Sequence, residues 1–561
     1  MYKSLINNSL FIQFAIVIFA PLLFIPGLGV VHLFDWDEIN FAESAREMLV
    51  SHNYLTVQIN FEAFWEKPPL FIWMQVLSMK MFGINEFAAR FPNAICGVIT
   101  LLVLFNVGRK LKNNKFGLLW VLVYVSSLLP FLYFKTGIID PWFNLFIFLG
   151  TYYFVQFTSP DNKGNTHLQV AASAFFLGLA ILTKGPVGLL IFLLTFGIYL
   201  VFNKFKLQFK WKQVILFAVI LTFVGCFWFV LQILDGNYRI IEDFVVYQIR
   251  LFQTKDAGHG GFLLYHFVIL FVGVFPASIM ALPTFRRSIL KQENDLKTAH
   301  FFRWMMILFW VVLILFTIVN TKIVHYSSMC YFPLTFLAAW YIDKVLEKQI
   351  QFPKYLKVLL ITVASFFGLA ITLITLFDKF KVLLFPFIKD EFTLGNMQAT
   401  AHWIGFEPVF GIVLIVTTIL FCIKISKSPT LKTFNILFIG SLFFVAVSMF
   451  FVAPQVEKYS QAAAIEFYES KKGEDCYIYS MSKSYAHYFY SDRLPENKCA
   501  DLDVLLHSNL KKPCYFVIKN KKQKIANFTK AAPDATILYT KNGFAFYVRN
   551  PRKLSVVCSK K

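Results

Sequence analysis

The sequence predicts an α-helical polytopic membrane protein with a small α/β domain at its C-terminal end. Three observations carry this. Apolar runs of about 20 residues, the length that crosses a bilayer as a helix, recur through residues 1–454. Of the 561 residues, 57% are hydrophobic and 15% charged, against about 25% charged in a soluble domain. From about residue 455 onward the apolar runs stop and short strand-like segments take over. The net charge of +22 does not mark a nucleic-acid partner, because the basic residues lie in short loops between apolar runs rather than on one soluble face.

Thirteen spans are predicted, near 11–31, 88–107, 116–134, 138–157, 168–183, 186–203, 214–234, 262–282, 302–320, 325–345, 356–376, 407–424 and 433–453. The stretch Met1 to Asn8 carries one lysine and no small-residue cleavage site follows, so the first run reads as an uncleaved span. Only Lys184-Gly185-Pro186 separates the fifth and sixth runs, which leaves open one broken element.

Lysine and arginine in the short loops set the orientation. One alternating set is basic: Arg109, Lys110, Lys112 and Lys115; Lys204, Lys206, Lys210 and Lys212; Arg286, Arg287, Lys291 and Lys297; Lys344, Lys348, Lys354 and Lys357; Lys424, Lys427 and Lys432. The 158–167 loop, with Lys163, is its weak member, and the opposite short loops hold Lys135, Lys184 and Lys322 almost alone. The reading is a bacterial inner-membrane protein with a cytoplasmic N-terminus. The C-terminal domain (455–561) and the long segments 32–87, 235–261 and 377–406 then lie on the periplasmic side. Polar groups near span ends gather on that face, and polar groups at membrane depth are costly and tend to be functional.

In the tail, Cys476–Met481, Cys514–Lys519, Thr536–Thr540 and Phe544–Arg549 read as strands. Lys541-Asn542-Gly543 joins the last two as a hairpin signal. Cys476, Cys499, Cys514 and Cys558 allow a disulfide in an oxidising compartment, with the pairing open. Cys96, Cys226, Cys330 and Cys422 lie in apolar runs and read as packing residues.

The first external loop is the densest in chemistry. Asp35-Trp36-Asp37-Glu38 opens an amphipathic helix expected to lie in the membrane interface, with Asp35 or Asp37 as its cap. Phe61 to Leu70 follows, where Pro68 and Pro69 extend the backbone and hold Glu66 and Lys67. A second helix, Phe71 to Phe82, precedes Glu86 and Arg90, four apart and suited to a helical ion pair. Taken singly, Asp37 and Glu38 are a cap and a solvated charge, and Glu66-Lys67 an exposed pair. Asp37, Glu38, Glu66, Lys67, Asp140, Lys184, His259 and His325 all map to one face, and that accumulation favours a site.

The pattern resembles the aminoarabinose transferases of the ArnT type, within the polytopic GT-C glycosyltransferases that include the protein O-mannosyltransferases. The resemblance rests on Asp37-Glu38-Ile39-Asn40-Phe41-Ala42-Glu43, Ala45-Arg46-Glu47-Met48-Leu49, Glu66-Lys67-Pro68-Pro69-Leu70 and Glu86-Phe87-Ala88-Ala89-Arg90-Phe91-Pro92. Further on stand Asp140, Leu182-Thr183-Lys184-Gly185-Pro186, Gly258-His259-Gly260-Gly261 and His325-Tyr326. It implies a GT-C-like fold and transfer of a sugar from a polyprenyl (undecaprenyl) phosphate carrier to an extracytoplasmic acceptor, lipid A or another envelope glycolipid. The alternatives are transfer to a protein Ser or Thr, or, in a different class, a lipid or solute transporter. The chain departs from the aminoarabinose enzymes at Asn40, where those usually carry arginine.

Such a transfer needs an acid–base group for the acceptor and cations for the departing phosphate. Asp37 is the expected base or acceptor-orienting acid, with helix capping as its rival role. Glu38 and Asp140 complete the expected catalytic carboxylates, and Asp140 before Pro141 also suits a span-start cap. Lys67, Lys184 and Arg90 are the expected phosphate cations. Lys184 has snorkelling as its competing role, and Arg90 has pairing with Glu86. The resemblance implies a metal near the Glu-Lys-Pro-Pro loop. Glu66, His259 and His325 are donors of the kind zinc accepts, and His266 is a weaker substitute.

Overall fold

The computed structural model describes residues 8–206, 210–253, 260–286, 289, 293–498 and 501–551. The first residues of the predicted uncleaved start, Met1 to Asn7, lie outside these, as do His259, Cys499 and Cys558.

The molecule is mostly helical. Among the described residues, six helices are long and apolar enough to cross a membrane: Glu86–Leu111, Thr166–Lys184, Leu296–Ile318, Lys354–Phe387, Glu407–Ile425 and Leu431–Phe451. Two bent pairs, Trp211–Gly225 with Phe227–Leu234 (53°) and Tyr265–Gly273 with Ala277–Phe285 (108°), bring the number to eight if each is one span. Shorter apolar helices, among them Ser9–Phe24, Asn114–Val125 and Val187–Phe202, carry further predicted runs. The fifth and sixth runs are separate helices, Thr166–Lys184 and Val187–Phe202, parted at Gly185, whose φ of +91° suits glycine. The second of them packs through an aromatic cluster: Phe154 of helix Asp140–Phe157 meets Phe192, Phe196 and Trp304 edge-on at 5.0–5.8 Å, a favoured geometry.

Members of the basic loop set meet in space. Lys112 of one basic loop reaches Asp343 at 2.5 Å, and Lys344 reaches Glu293 at 3.3 Å. These residues come from the basic set or stand beside it.

In the first long loop, helix Asp37–Ser51 starts where the sequence placed it, but Trp36 is the N-cap and no side chain caps the end. Nor is the helix half-exposed. All residues from Glu38 to Met48 are buried, because the loop is covered from the other side by the C-terminal part of the chain. Ile39, Ala42, Ala45 and Met48 share one core with Ala463, Phe467, Phe489 and Phe546. The helix's polar residues are therefore paired internally. Arg46 donates to both oxygens of Glu43 at 2.7–2.8 Å and to the Arg493 carbonyl at 2.8 Å, while Asn60 and Phe61 donate their amides to Glu47.

Two short strands, β1 (Gln58–Ile59) and β2 (Glu62–Ala63), pair in the first long loop, and the C-terminal part holds a four-stranded sheet of β3 (Tyr477–Ser480), β4 (Cys514–Lys519), β5 (Thr536–Lys541) and β6 (Phe544–Arg549), in the order β3-β4-β6-β5. β3 runs parallel to β4 and the other pairs are antiparallel. Asn542 (φ +44°) and Gly543 (φ +81°) both take positive φ in the β5–β6 turn, as a tight hairpin requires. Cys476 and Cys514 fall at the starts of the neighbouring strands β3 and β4.

Candidate active site

A cavity of about 370 Å³ opens where the first long loop meets the helix ends. Asp37 comes from the first turn of helix Asp37–Ser51, and Glu66 and Lys67 from the proline-held segment that follows. Asp140 begins helix Asp140–Phe157, and Lys184 ends helix Thr166–Lys184. His325 lies in the 3-10 turn Val324–Cys330 that opens the next predicted run. Six residues drawn from five separate stretches thus line one cavity.

Their pairings are specific. Asp37 Oδ2 lies 3.2 Å from His325 Nε2, and the Asp37 side chain is 29% exposed to the cavity, so its carboxylate is both oriented and reachable. Lys184 donates to Asp140 Oδ1 at 2.7 Å, with both side chains largely buried. The carboxylate goes to the lysine and makes no side-chain capping bond at its own helix end. The ammonium of Lys184 also stands 5.4 Å from the Tyr326 ring and 5.7 Å from that of Phe143, a cation–π setting. Lys184 therefore does not snorkel alone. Lys67 donates to the Tyr247 hydroxyl at 3.3 Å. Burial lowers the Lys67 pKa, opposed by Glu66 and reinforced by the nearby Lys184.

Two predicted site residues belong elsewhere. Arg90 does not reach the cavity and does not pair with Glu86. All five of its N–H groups are used: two on Glu38, and three on the carbonyls of Leu28, Val31 and His32, at 2.6–3.0 Å. A guanidinium so occupied has no donor left for a phosphate. Glu38 borders the cavity but is 2% exposed. Its oxygens accept from Arg90, from the Phe34 amide at 2.7 Å and from the Gly137 amide. Glu38 and Arg90 form a frame that fixes the loop carrying Asp37, and the expected catalytic and phosphate-binding roles do not fit them.

Glu66 and His325 line the cavity, His259 lies outside the described residues, and one nitrogen of His325 faces Asp37. Among the described residues no third ligand completes a metal set there. His266 is buried, with Nδ1 3.1 Å from the Ser327 hydroxyl, and does not line the cavity.

Sequence reasoning missed Tyr247 and Asn144. Tyr247 arrives on helix Arg239–Gln253, whose Ile240 and Phe244 are buried. The period of those apolar residues was the available signal. Asn144, one turn beyond Asp140, donates to the Ser328 hydroxyl at 2.8 Å and ties that helix to the turn bearing His325. Asn40, buried at the cavity wall, pairs with Trp36 when its amide is oriented to satisfy both groups: it donates to the Trp36 carbonyl (2.9 Å) and accepts from the indole N–H (3.2 Å).

The chain is similar to known proteins in sequence and in fold. A family model described as dolichyl-phosphate-mannose-protein mannosyltransferase matches residues 66–229. The undecaprenyl phosphate-alpha-4-amino-4-deoxy-L-arabinose arabinosyl transferase 1 of Proteus mirabilis is 26% identical over 320 residues, 56% of this chain. That match also spans only 56% of the Proteus protein, about half its length. The corresponding transferase of Shewanella sediminis is 26% identical over 396 residues, 70% of this chain and 69% of its own. The crystal structure of ArnT from Cupriavidus metallidurans bound to undecaprenyl phosphate superposes with a TM-score of 0.77 at 16% identity, covering 97% of this chain and 100% of that one. Family model, relatives and whole-chain fold point the same way: the chain is similar in sequence to these transferases over part of its length and shares the fold of ArnT over nearly all of it.

Proposed function

We propose that the chain is an integral-membrane glycosyltransferase that moves a sugar from a polyprenyl (undecaprenyl) phosphate carrier to an extracytoplasmic acceptor, lipid A or another envelope glycolipid. One observation carries the reading: Asp37, Glu66, Asp140, Lys67, Lys184 and His325 converge on one cavity at the ends of apolar helices. Its far wall, with Phe143, Val187, Ile191, Phe316 and Val319, is apolar and suits the first isoprene units of a lipid carrier.

In the proposed reaction the acceptor hydroxyl gives its proton to Asp37, which His325 orients. The acceptor oxygen bonds to the anomeric carbon as the carbon–oxygen bond to the lipid phosphate breaks. The electron pair leaves on the phosphate, where Lys67 and Lys184 stabilise the developing charge. An acceptor phosphate needs no base, and Asp37 then orients it. Asp140 holds Lys184 in place. A second recess shares Trp36 and Glu66 with the cavity, and its lining includes Arg250, Tyr479, Lys483 and Tyr485. It supports an acceptor entering between the loop and the C-terminal sheet.

The reading includes thirteen spans, a transmembrane part over 1–454 and a periplasmic α/β domain over 455–561, with the N-terminus in the cytoplasm. The basic-loop pattern supports this orientation.

The test is sugar transfer by full-length protein in liposomes, with undecaprenyl-phosphate-linked sugars and either lipid A or Ser/Thr peptides as acceptors, read by mass spectrometry. Transfer to lipid A by the wild type, lost in a folded Asp37→Asn variant, is the expected result. Transfer to the peptide alone moves the acceptor to protein. Full activity in Asp37→Asn removes the base assignment, and no transfer from any donor overturns the enzyme reading.

A further inference from the structure

Outside the cavity, a different set of ligating side chains converges. One ligand atom from each of His32, Glu86 and Glu469 lies within 4.8 Å of the others. The three come from distant parts of the chain: the segment leaving helix Ser9–Phe24, the first residue of helix Glu86–Leu111, and the end of helix Ala462–Ser470. A fourth group stands behind them. His32 Nδ1 is 3.1 Å from Glu457 Oε1, and the Glu457 side chain is only 5% exposed.

That arrangement has a known chemical use. A carboxylate that accepts the Nδ1 proton fixes the tautomer and leaves the imidazole lone pair on Nε2, as in carboxylate–histidine–metal triads. Glu86, Glu469 and Glu457 thus stand around one imidazole, a concentration of carboxylates that a bound cation would offset. One nitrogen with two carboxylate oxygens suits zinc or a neighbouring transition metal, whereas calcium and magnesium prefer oxygen alone.

We propose that His32, Glu86 and Glu469 bind a divalent transition-metal ion of the zinc type, with Glu457 orienting the imidazole. The ion fastens helix Ala462–Ser470 to both roots of the first long loop. It sits beside the frame that positions Asp37, since the His32 carbonyl accepts from Arg90 at 2.9 Å. The site is separate from the cavity and does not depend on the sugar-transfer reading.

The test uses full-length protein in detergent, stripped with chelator and titrated with zinc chloride. Bound metal is counted by plasma mass spectrometry after gel filtration, and affinity is measured by competition with a chromophoric chelator. Wild type is expected to retain about one equivalent that His32→Gln and Glu469→Gln lose. Glu457→Gln is expected to weaken it about ten- to a hundredfold, the usual effect of removing an orienting partner. His325→Ala, in the cavity, is expected to keep it. Zinc raises the Tm of wild type but not of Glu469→Gln, whose exposed side chain makes that variant the safe one for folding. The proposal is overturned if wild type takes up no zinc, or if His32→Gln and Glu469→Gln retain it with unchanged affinity.

Discussion

Arg90 and Lys184 look alike in the sequence, as lone cations near span ends, yet their surroundings give them different work. Arg90 is a buried strut whose every donor is used. Removing one partner of a buried pair strands the other charge and costs about 3–5 kcal/mol. Arg90→Met is therefore expected to lower stability by that order, read as a drop in unfolding midpoint in detergent. Lys67 lines the cavity and donates to the Tyr247 hydroxyl. Lys67→Ala is expected to keep the Tm within a few degrees while transfer falls by about a hundredfold or more, the scale of losing one charge-stabilising donor. Lys184→Met is expected to do both, because Asp140 loses its buried partner. The double variant with Asp140→Asn should recover part of the Tm and none of the activity. Equal loss of activity and stability in Lys67→Ala would mean that it too is a strut. The sequence carried the residue types and their common face. It did not carry the pairings, because Glu38 meets Arg90 across 52 positions and Asp140 meets Lys184 across 44.

Elements were more legible than pairings, and the reason is local chemistry. The start of helix Asp37–Ser51, the helix after Pro68-Pro69, the break at Gly185-Pro186 and all four strands follow from residues within a few positions. What escaped was burial. An amphipathic helix with an exposed polar face and a fully buried helix with internal ion pairs have the same local pattern, and only the covering element separates them. The β5–β6 turn gives an element-scale test. Gly543 takes φ +81°, and a Cβ there would stand 2.7 Å from the Phe392 carbonyl. Gly543→Ala is expected to cost more than about 1 kcal/mol, the scale for alanine at positive φ before any clash. Asn542→Gly, which keeps the turn conformation, should be close to neutral. Thermal unfolding of the two variants side by side checks this.

At the scale of the molecule, the first long loop is covered by the C-terminal part, with which it shares one core. Phe467, Phe489, Tyr490 and Phe546 share a core with helix Asp37–Ser51, and Trp36 packs against Tyr485 with ring centroids 5.2 Å apart. A chain ending at residue 454 would expose that face, so it is expected to lose transfer even where the spans insert. The same contact should respond to pH through His487. This residue is 4% exposed, on the segment that covers the loop, and burial lowers its pKa well below the ordinary 6.5, with Arg493 adding to the effect. The sign follows from linkage. With the folded pKa depressed, the stabilising contribution is whole above 6.5 and is lost as pH falls toward the folded value, because the unfolded chain takes a proton that the folded one refuses. The Tm of wild type should therefore fall between pH 7 and pH 5 more steeply than that of His487→Gln. Other titrating groups act on both proteins, so the quantity that decides is the difference between the two curves. Parallel curves would show that the loop's cover is indifferent to His487. Convergence of the two toward acid would tie the order of the Asp37 loop to a neutral imidazole in the C-terminal part.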